Sequence, residues 1–220
     1  MMIKKLQKVK DHFKKVDPII YKAMRDVNFD KWLKRQKPKT SDGSEYFERL
    51  CREIIGQQLS GKAVGAIIER FEQLFNNKLI DPHKLVRIHD KTLRNVGMSW
   101  SKVQYVKNIA KAYLNNTVQF DKLHKLSDEE ITSQLTAIKG VGNWTVEMFL
   151  MFTLGREDVF SYGDLGLRKG FAKLYKIDNP TKVEVEKVTD KWKPYRTYGS
   201  ITLWETADAK VVEANKNLRK

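Results

Sequence analysis

The chain has 220 residues, 42 of them Lys or Arg and 27 Asp or Glu, for a formal charge of +15 with histidine neutral. Apolar and aromatic residues make up 41 %, enough for a folded core and too many for a basic disordered tail. A single cysteine, Cys51, excludes an internal disulfide and a cysteine-rich zinc or iron-sulfur site, and the scattered His12, His83, His89 and His124 form no pair that would set two imidazoles on one helical face, so metal catalysis is not expected.

The start, MMIKKLQKVKDHFKK, interrupts every apolar stretch with lysine, unlike a secretory signal, and no later run reaches membrane-spanning length. The expected protein is intracellular and off the membrane. Ile3, Leu6, Val9, Phe13 and Val16 recur at helical spacing and predict a first helix. Residues 1–40 hold 13 Lys and Arg against 4 Asp. Such a face either attracts a polyanion, nucleic acid before anionic membrane, or only keeps the surface solvated.

Asp17-Pro18 predicts the cap and first turn of a second helix, and residues 37–44, KPKTSDGS, have linker chemistry. Phe47, Leu50, Cys51, Ile54 and Ile55 form one helical stripe that passes through Gly56-Gln57-Gln58-Leu59-Ser60-Gly61 into a helix at about 62–76. Asp81-Pro82 opens a short helix, and Gly97-Met98-Ser99 precedes a stripe of Val103, Val106, Ile109, Ala110 and Tyr113. Ser127 to Glu130 and Thr181 to Glu184 are capping-box patterns. Lys193-Pro194 suits a helix start ahead of Ser200 to Trp204. No long segment alternates with period two and none repeats, so the chain is predicted to be all-α with about ten helices.

In Leu135 to Val146, Gly140-Val141-Gly142 sits between two apolar helical segments, the first anchored by Leu135 and Ile138. Such a turn either simply connects two helices or presents consecutive N–H groups to a phosphate oxygen, without sequence preference. About twenty residues later comes Asp158-Val159-Phe160-Ser161-Tyr162-Gly163-Asp164-Leu165-Gly166. Taken alone, Asp164 is the cap of a helix beginning at Leu165.

The hairpin followed by this aspartate resembles the helix-hairpin-helix DNA glycosylases. Gly56 to Ser60, the stretch Leu93 to Lys102 with Gly97, Ser99 and Lys102, and Trp192 to Thr197 are further matches, in the same order. Together they are similar to the AlkA-type 3-methyladenine DNA glycosylases from about residue 45 to 206, in a compact form without an N-terminal β-domain. The resemblance implies two helical subdomains with an active-site cleft between them, residues 42–157 with the hairpin and residues 1–41 plus 158–220. It implies a monomer acting on double-stranded DNA with damaged bases, associated with DNA inside the cell.

By the same resemblance, Asp164 is the catalytic carboxylate, Trp144, Met148 and Trp204 line the base pocket, and Gln58 with Leu59 supplies the wedge that fills the gap left by a flipped nucleotide. Gly140, Val141 and Gly142 bind DNA phosphate, with a structural Na+ or K+ shared between hairpin carbonyls near Gly140 and Gly142 and no other cofactor. Ser99 and Lys102 help hold the DNA backbone. Lyase members carry a lysine where this chain has Trp144, and Lys139 lies ahead of that place, so a monofunctional hydrolase of alkylated purines such as 3-methyladenine and 7-methylguanine is expected. Cationic purines leave readily, so little acid catalysis is expected, in keeping with the lack of a histidine in these motifs. The alternatives are a DNA-binding module without catalysis and a glycosylase for oxidised or deaminated purines.

Overall fold

In a computed structural model the backbone is described for residues 2–33, 43–59 and 61–217, and the side chains for 4–33, 43–59 and 63–208. The described residues form thirteen α-helices joined by short turns, with no strand among them. The chain divides into two units, one of residues 1–34 and 155–220 and the other of residues 35–154. The sequence reading set these boundaries at 41/42 and 157/158. The linker expected at 37–44 lies mostly outside the described residues.

The first unit begins with α1 (Met2–Val16), α2 (Pro18–Met24) and α3 (Phe29–Leu33). Val9 and Phe13 of the α1 stripe are fully buried, while Lys4, Lys5, Lys8, Lys14 and Lys15 are exposed. Asp17 caps α2 as its sequence position predicts, accepting from the backbone N–H of Ile19 and Ile20. Its second oxygen accepts from the Tyr175 hydroxyl at 2.5 Å and from the Trp192 indole at 2.9 Å. A carboxylate that would be costly to bury alone thus meets four donors, and it ties α2 to both later parts of its unit. The unit resumes with α11 (Leu165–Tyr175), α12 (Lys182–Thr189) and α13 (Arg196–Asn217). A Cβ on Gly170 would lie 2.1 Å from the Leu203 carbonyl oxygen, so α11 and α13 approach as closely as they do only because that position has no side chain.

The second unit holds α4 (Ser44–Gly56), α5 (Gly61–Glu72), α6 (Pro82–Arg87), α7 (Asp90–Asn95), α8 (Trp100–Leu114), α9 (Asp128–Thr136) and α10 (Asn143–Phe149), the last continuing as a π-helical turn over Leu150–Leu154. The predicted stripe of α4 is its buried face: Phe47, Leu50, Cys51, Ile54 and Ile55 are all at 0 % exposure. Burial also pushes the ionisation of the Cys51 thiol far up, which leaves it an inert core residue. Both capping boxes form, at Ser127/Glu130 and at Thr181/Glu184. No helix among the described residues is long and apolar enough to cross a membrane.

Candidate active site

Asp164 stands at the head of α11. As N-cap its Oδ1 accepts from the backbone N–H of Leu167 at 2.8 Å, and the same oxygen accepts from the Trp204 indole of α13 at 2.9 Å. The Trp204 ring lies parallel to Trp32 of α3, with centroids 5.7 Å apart and 9° between planes. Trp32 in turn donates its indole N–H to Glu205 at 2.7 Å. Gly166 makes the arrangement possible: a Cβ there would sit 2.9 Å from Trp204 Cδ1, and 3.1 Å from both Trp204 Nε1 and Asp164 Oδ1. The side chain is therefore cap and oriented carboxylate at once. Such a group can stabilise a cation forming beside it or orient a water.

The segment that delivers Asp164 is stitched to the start of α13. Arg196 grips Asp158 through Nε at 2.8 Å and Nη2 at 3.0 Å. The Thr197 hydroxyl accepts from Val159 N–H and donates to the Arg156 carbonyl. These contacts explain the stretch Trp192 to Thr197 as a support, with Trp192 fully buried in its unit.

The hairpin in the other unit joins α9 to α10. Leu135 and Ile138 are buried, and Val141 N–H closes the turn on the Ile138 carbonyl at 3.0 Å. Gly140 has φ +107° and lies against the Tyr105 ring, so both backbone conformation and packing demand glycine. Gly142 has nothing within 4 Å of where a Cβ would be, so that position is open. Val141 is 5 % exposed; its side chain belongs to the core, and only its backbone is offered at the turn. Trp144, in the first turn of α10, is 39 % exposed, and Met148, one turn later on the same row, is buried.

The α4 to α5 turn adjoins the start of α10, because the Gln57 side chain donates to Thr145 Oγ1 at 2.7 Å. Gln58 adopts a left-handed backbone with φ +60° and is exposed, as is Leu59 at 41 %. A non-glycine residue in that region is strained and needs a well-fixed setting. Lys102 supplies part of it: its half-buried ammonium donates to the carbonyls of Ile55 at 2.9 Å and Gln57 at 2.6 Å. Burial lowers its pKa from the ordinary lysine value.

Two residues singled out in the sequence also have partners within their own units. The end of α4 engages two of the three protons of Lys102. Ser99 caps α8, accepting from Lys102 N–H, and it stays exposed. Trp204, assigned to the base pocket, has one ring face against Trp32 and donates its N–H to Asp164. Trp32, Glu205 and the role of Gly166 had no sequence signal, since each depends on residues far apart in the chain.

Residues 51–194 match the family model described as HhH-GPD superfamily base excision DNA repair protein. The chain is 35 % identical over 184 residues to DNA-3-methyladenine glycosylase 1 of Schizosaccharomyces pombe, covering 82 % of this chain and 80 % of that protein. It is similar in structure to a 3-methyladenine DNA glycosylase of S. pombe in complex with abasic DNA, with TM-score 0.78, 32 % identity and coverage of 91 % and 97 % of the two chains. A DNA-3-methyladenine glycosidase of Bacillus halodurans superposes with TM-score 0.68 at 34 % identity, over 88 % of this chain and 91 % of that one.

Proposed function

The chain belongs to the HhH-GPD superfamily of base excision DNA repair proteins, and from that membership together with the Asp164 geometry we propose that it is a monofunctional DNA glycosylase that excises alkylated purines. It binds double-stranded DNA, extrudes the damaged nucleotide and hydrolyses its N-glycosidic bond. The observation that carries this reading is the carboxylate of Asp164, aimed by two N–H donors from α11 and α13.

Cleavage of the bond between sugar and base builds positive charge on the sugar. An ionised, oriented carboxylate stabilises that charge and directs the water that captures it. Trp144 recognises the base. Its partly exposed indole attracts a cationic purine such as 3-methyladenine or 7-methylguanine by about 0.5 to 2 kcal/mol, and the Met148 thioether, one helical turn on, is soft enough to fit several ring shapes. With tryptophan at 144 there is no amine to attack the sugar, so the product is an abasic site and borohydride traps no adduct.

The exposed, strained Gln58 with Leu59 beside it suits the wedge that fills the vacated stack. The open space beside Gly142 suits the approach of a phosphate oxygen. The hairpin donor set is neutral carbonyl oxygen, the chemistry of a monovalent cation. Gly142 O already accepts one N–H, from Val146, and a second lone pair remains for an ion, so Gly140 and Gly142 would hold Na+ or K+ there as a neutralising charge beside phosphate.

The test is release of free alkylpurine from methylated duplex. Asp164→Asn keeps the cap and shape but removes the charge, and a drop of at least ~100-fold in release with DNA affinity retained is expected. Undiminished release by this variant rejects the mechanism.

A further inference from the structure

The connection from α4 to α5 is a β-turn from Gly56 to Leu59, closed by the Leu59 N–H on the Gly56 carbonyl at 3.4 Å. Gln57 stands at φ −52° and ψ 134°, and Gln58 at φ +60°. Those angles describe a type II turn, whose third residue is ordinarily glycine or asparagine because it must take positive φ. Here that residue is a glutamine, and it carries the side chain assigned to the vacated stack.

Such a turn has an easy way to relax. Rotating the peptide between Gln57 and Gln58 by half a turn converts it to type I, with Gln58 at negative φ and the Gln57 carbonyl on the opposite face. Two contacts oppose that rotation, and both act on Gln57. Its carbonyl oxygen, part of the peptide that would rotate, accepts from Lys102 Nζ of α8 at 2.6 Å. Its side-chain amide donates to Thr145 Oγ1 of α10 at 2.7 Å. Within residues 35–154, Gln57 thus joins the end of α4 to both α8 and α10, one residue ahead of the wedge.

Burial divides the turn in the same way. Thr145 is 1 % exposed and Gln57 half-buried, whereas Gln58 and Leu59 are exposed. The anchored half lies inside and the unanchored half outside. Lys102 reaches the carbonyls of Ile55 and Gln57, so it ties the turn to α8 only. The Thr145 bond ties it to α10, and Thr145 is the chain neighbour of Trp144, the residue assigned to base recognition. One helix therefore fixes both the wedge and the indole.

We infer that Gln57 is a positioning residue for nucleotide extrusion, acting through its hydrogen bond to Thr145, an inference that rests on the glycosylase reading above. The bond keeps Gln58 in the left-handed region, so that Gln58 and Leu59 are held out for entry into the base stack. It also sets their register against Trp144, so that filling the stack and receiving the base proceed from one frame. A residue in a sparsely populated backbone region persists only where its surroundings over-determine it, and Gln57 supplies that constraint. Gln57 itself touches neither the base nor the reacting atoms. Its loss slows extrusion and leaves the bond-breaking step as it was.

The experiment measures single-turnover release of 7-methylguanine at saturating enzyme from two duplexes, one with cytosine opposite the lesion and one with an abasic site there. A base without a partner costs less to extrude, so the second duplex depends less on the wedge. Thr145→Val keeps the shape and removes the acceptor. It should slow release from the paired duplex by about 3- to 10-fold, the rate equivalent of one neutral hydrogen bond. On the unpaired duplex its loss should shrink to less than about twofold. Thr145→Ser keeps the hydroxyl and should match the wild type on both. Gln57→Leu should lose as much as Thr145→Val, and the double variant little more, because both changes break the same bond. Fluorescence of a 2-aminopurine placed beside the lesion reports extrusion directly, and its rise on binding should weaken in the same variants.

Equal losses on the two duplexes overturn the inference and leave the glycosylase reading standing, since the bond would then serve only the fold. Undiminished release from the paired duplex by Thr145→Val and Gln57→Leu also overturns it, as does a Thr145→Ser protein as slow as Thr145→Val. Should the wild type release 7-methylguanine from neither duplex, the underlying reading fails as well. Both duplexes are compared within one protein sample, so a partial loss of folded protein cancels. Where Thr145→Val folds poorly, Gln57→Leu at its half-buried position decides the matter.

Discussion

Replacing Gly166 by alanine crowds the indole of Trp204 against the carboxylate it orients, without touching either functional group. The added methyl would stand 2.9 Å from Trp204 Cδ1 and 3.1 Å from its Nε1 and from Asp164 Oδ1. Carbon atoms settle at about 3.5–4.0 Å, so the indole must withdraw by roughly 0.6 Å or more. Trp32 is stacked on it, which limits withdrawal in that direction, and the N–H to Oδ1 distance of 2.9 Å stretches past hydrogen-bonding range.

A hydrogen bond to a charged group contributes about 1.5–3 kcal/mol, which corresponds to about 10- to 100-fold in rate if the bond acts on the transition state. Stability should move far less. Alanine in a helix gains up to about 1 kcal/mol over glycine, which offsets much of the crowding. The assay is single-turnover release of 7-methylguanine, run beside a thermal melt and affinity for abasic duplex. Trp204→Phe removes the donor without crowding and should lose a similar factor, and the double variant should lose little more, because both changes break the same bond. Wild-type release by Gly166→Ala, or multiplicative losses in the double variant, would refute the claim that Trp204 acts through Asp164.

Gly142→Ala should melt within a few degrees of wild type, since nothing lies near its Cβ position, yet bind DNA several-fold more weakly because the methyl occupies open space at the hairpin where a phosphate would approach; full affinity in a filter-binding assay would remove the hairpin from the interface. Lys102→Met should cost about 1–3 kcal/mol by leaving the Ile55 and Gln57 carbonyls without their donor, and should slow base release by loosening the Gln58 turn. Its dependence of DNA affinity on salt should keep the wild-type slope, whereas a slope shallower by about one would mean that Lys102 neutralises a phosphate after all.

What could be read from the sequence follows the range of the interactions. Caps are local, and Asp17, Asp81, Ser127 and Thr181 all cap where their spacing predicts. The α4 stripe is equally local, and its residues form the buried face. Helices too short to show a period were missed: α3 has 5 residues and α7 has 6, which brings the count to thirteen rather than about ten. The helix expected over about 62–76 ends at Glu72, and just beyond it Asn77 takes a left-handed backbone that no helix continues through.

The candidate site residues divide along the same line. Asp164 was legible because a cap and a catalytic carboxylate both fit one position, and it occupies that cap. Its orientation was not legible, because the donor comes from α13 and the stack behind that donor from α3, at opposite ends of the chain. Gly166 shows why motif matching alone stops short. Its place two residues after Asp164 is visible in the sequence, but helix geometry there does not demand glycine. The demand comes from an indole edge 2.9 Å from a missing methyl, and that edge reaches the site only because Gly170 lets α11 and α13 pack closely enough to carry it there.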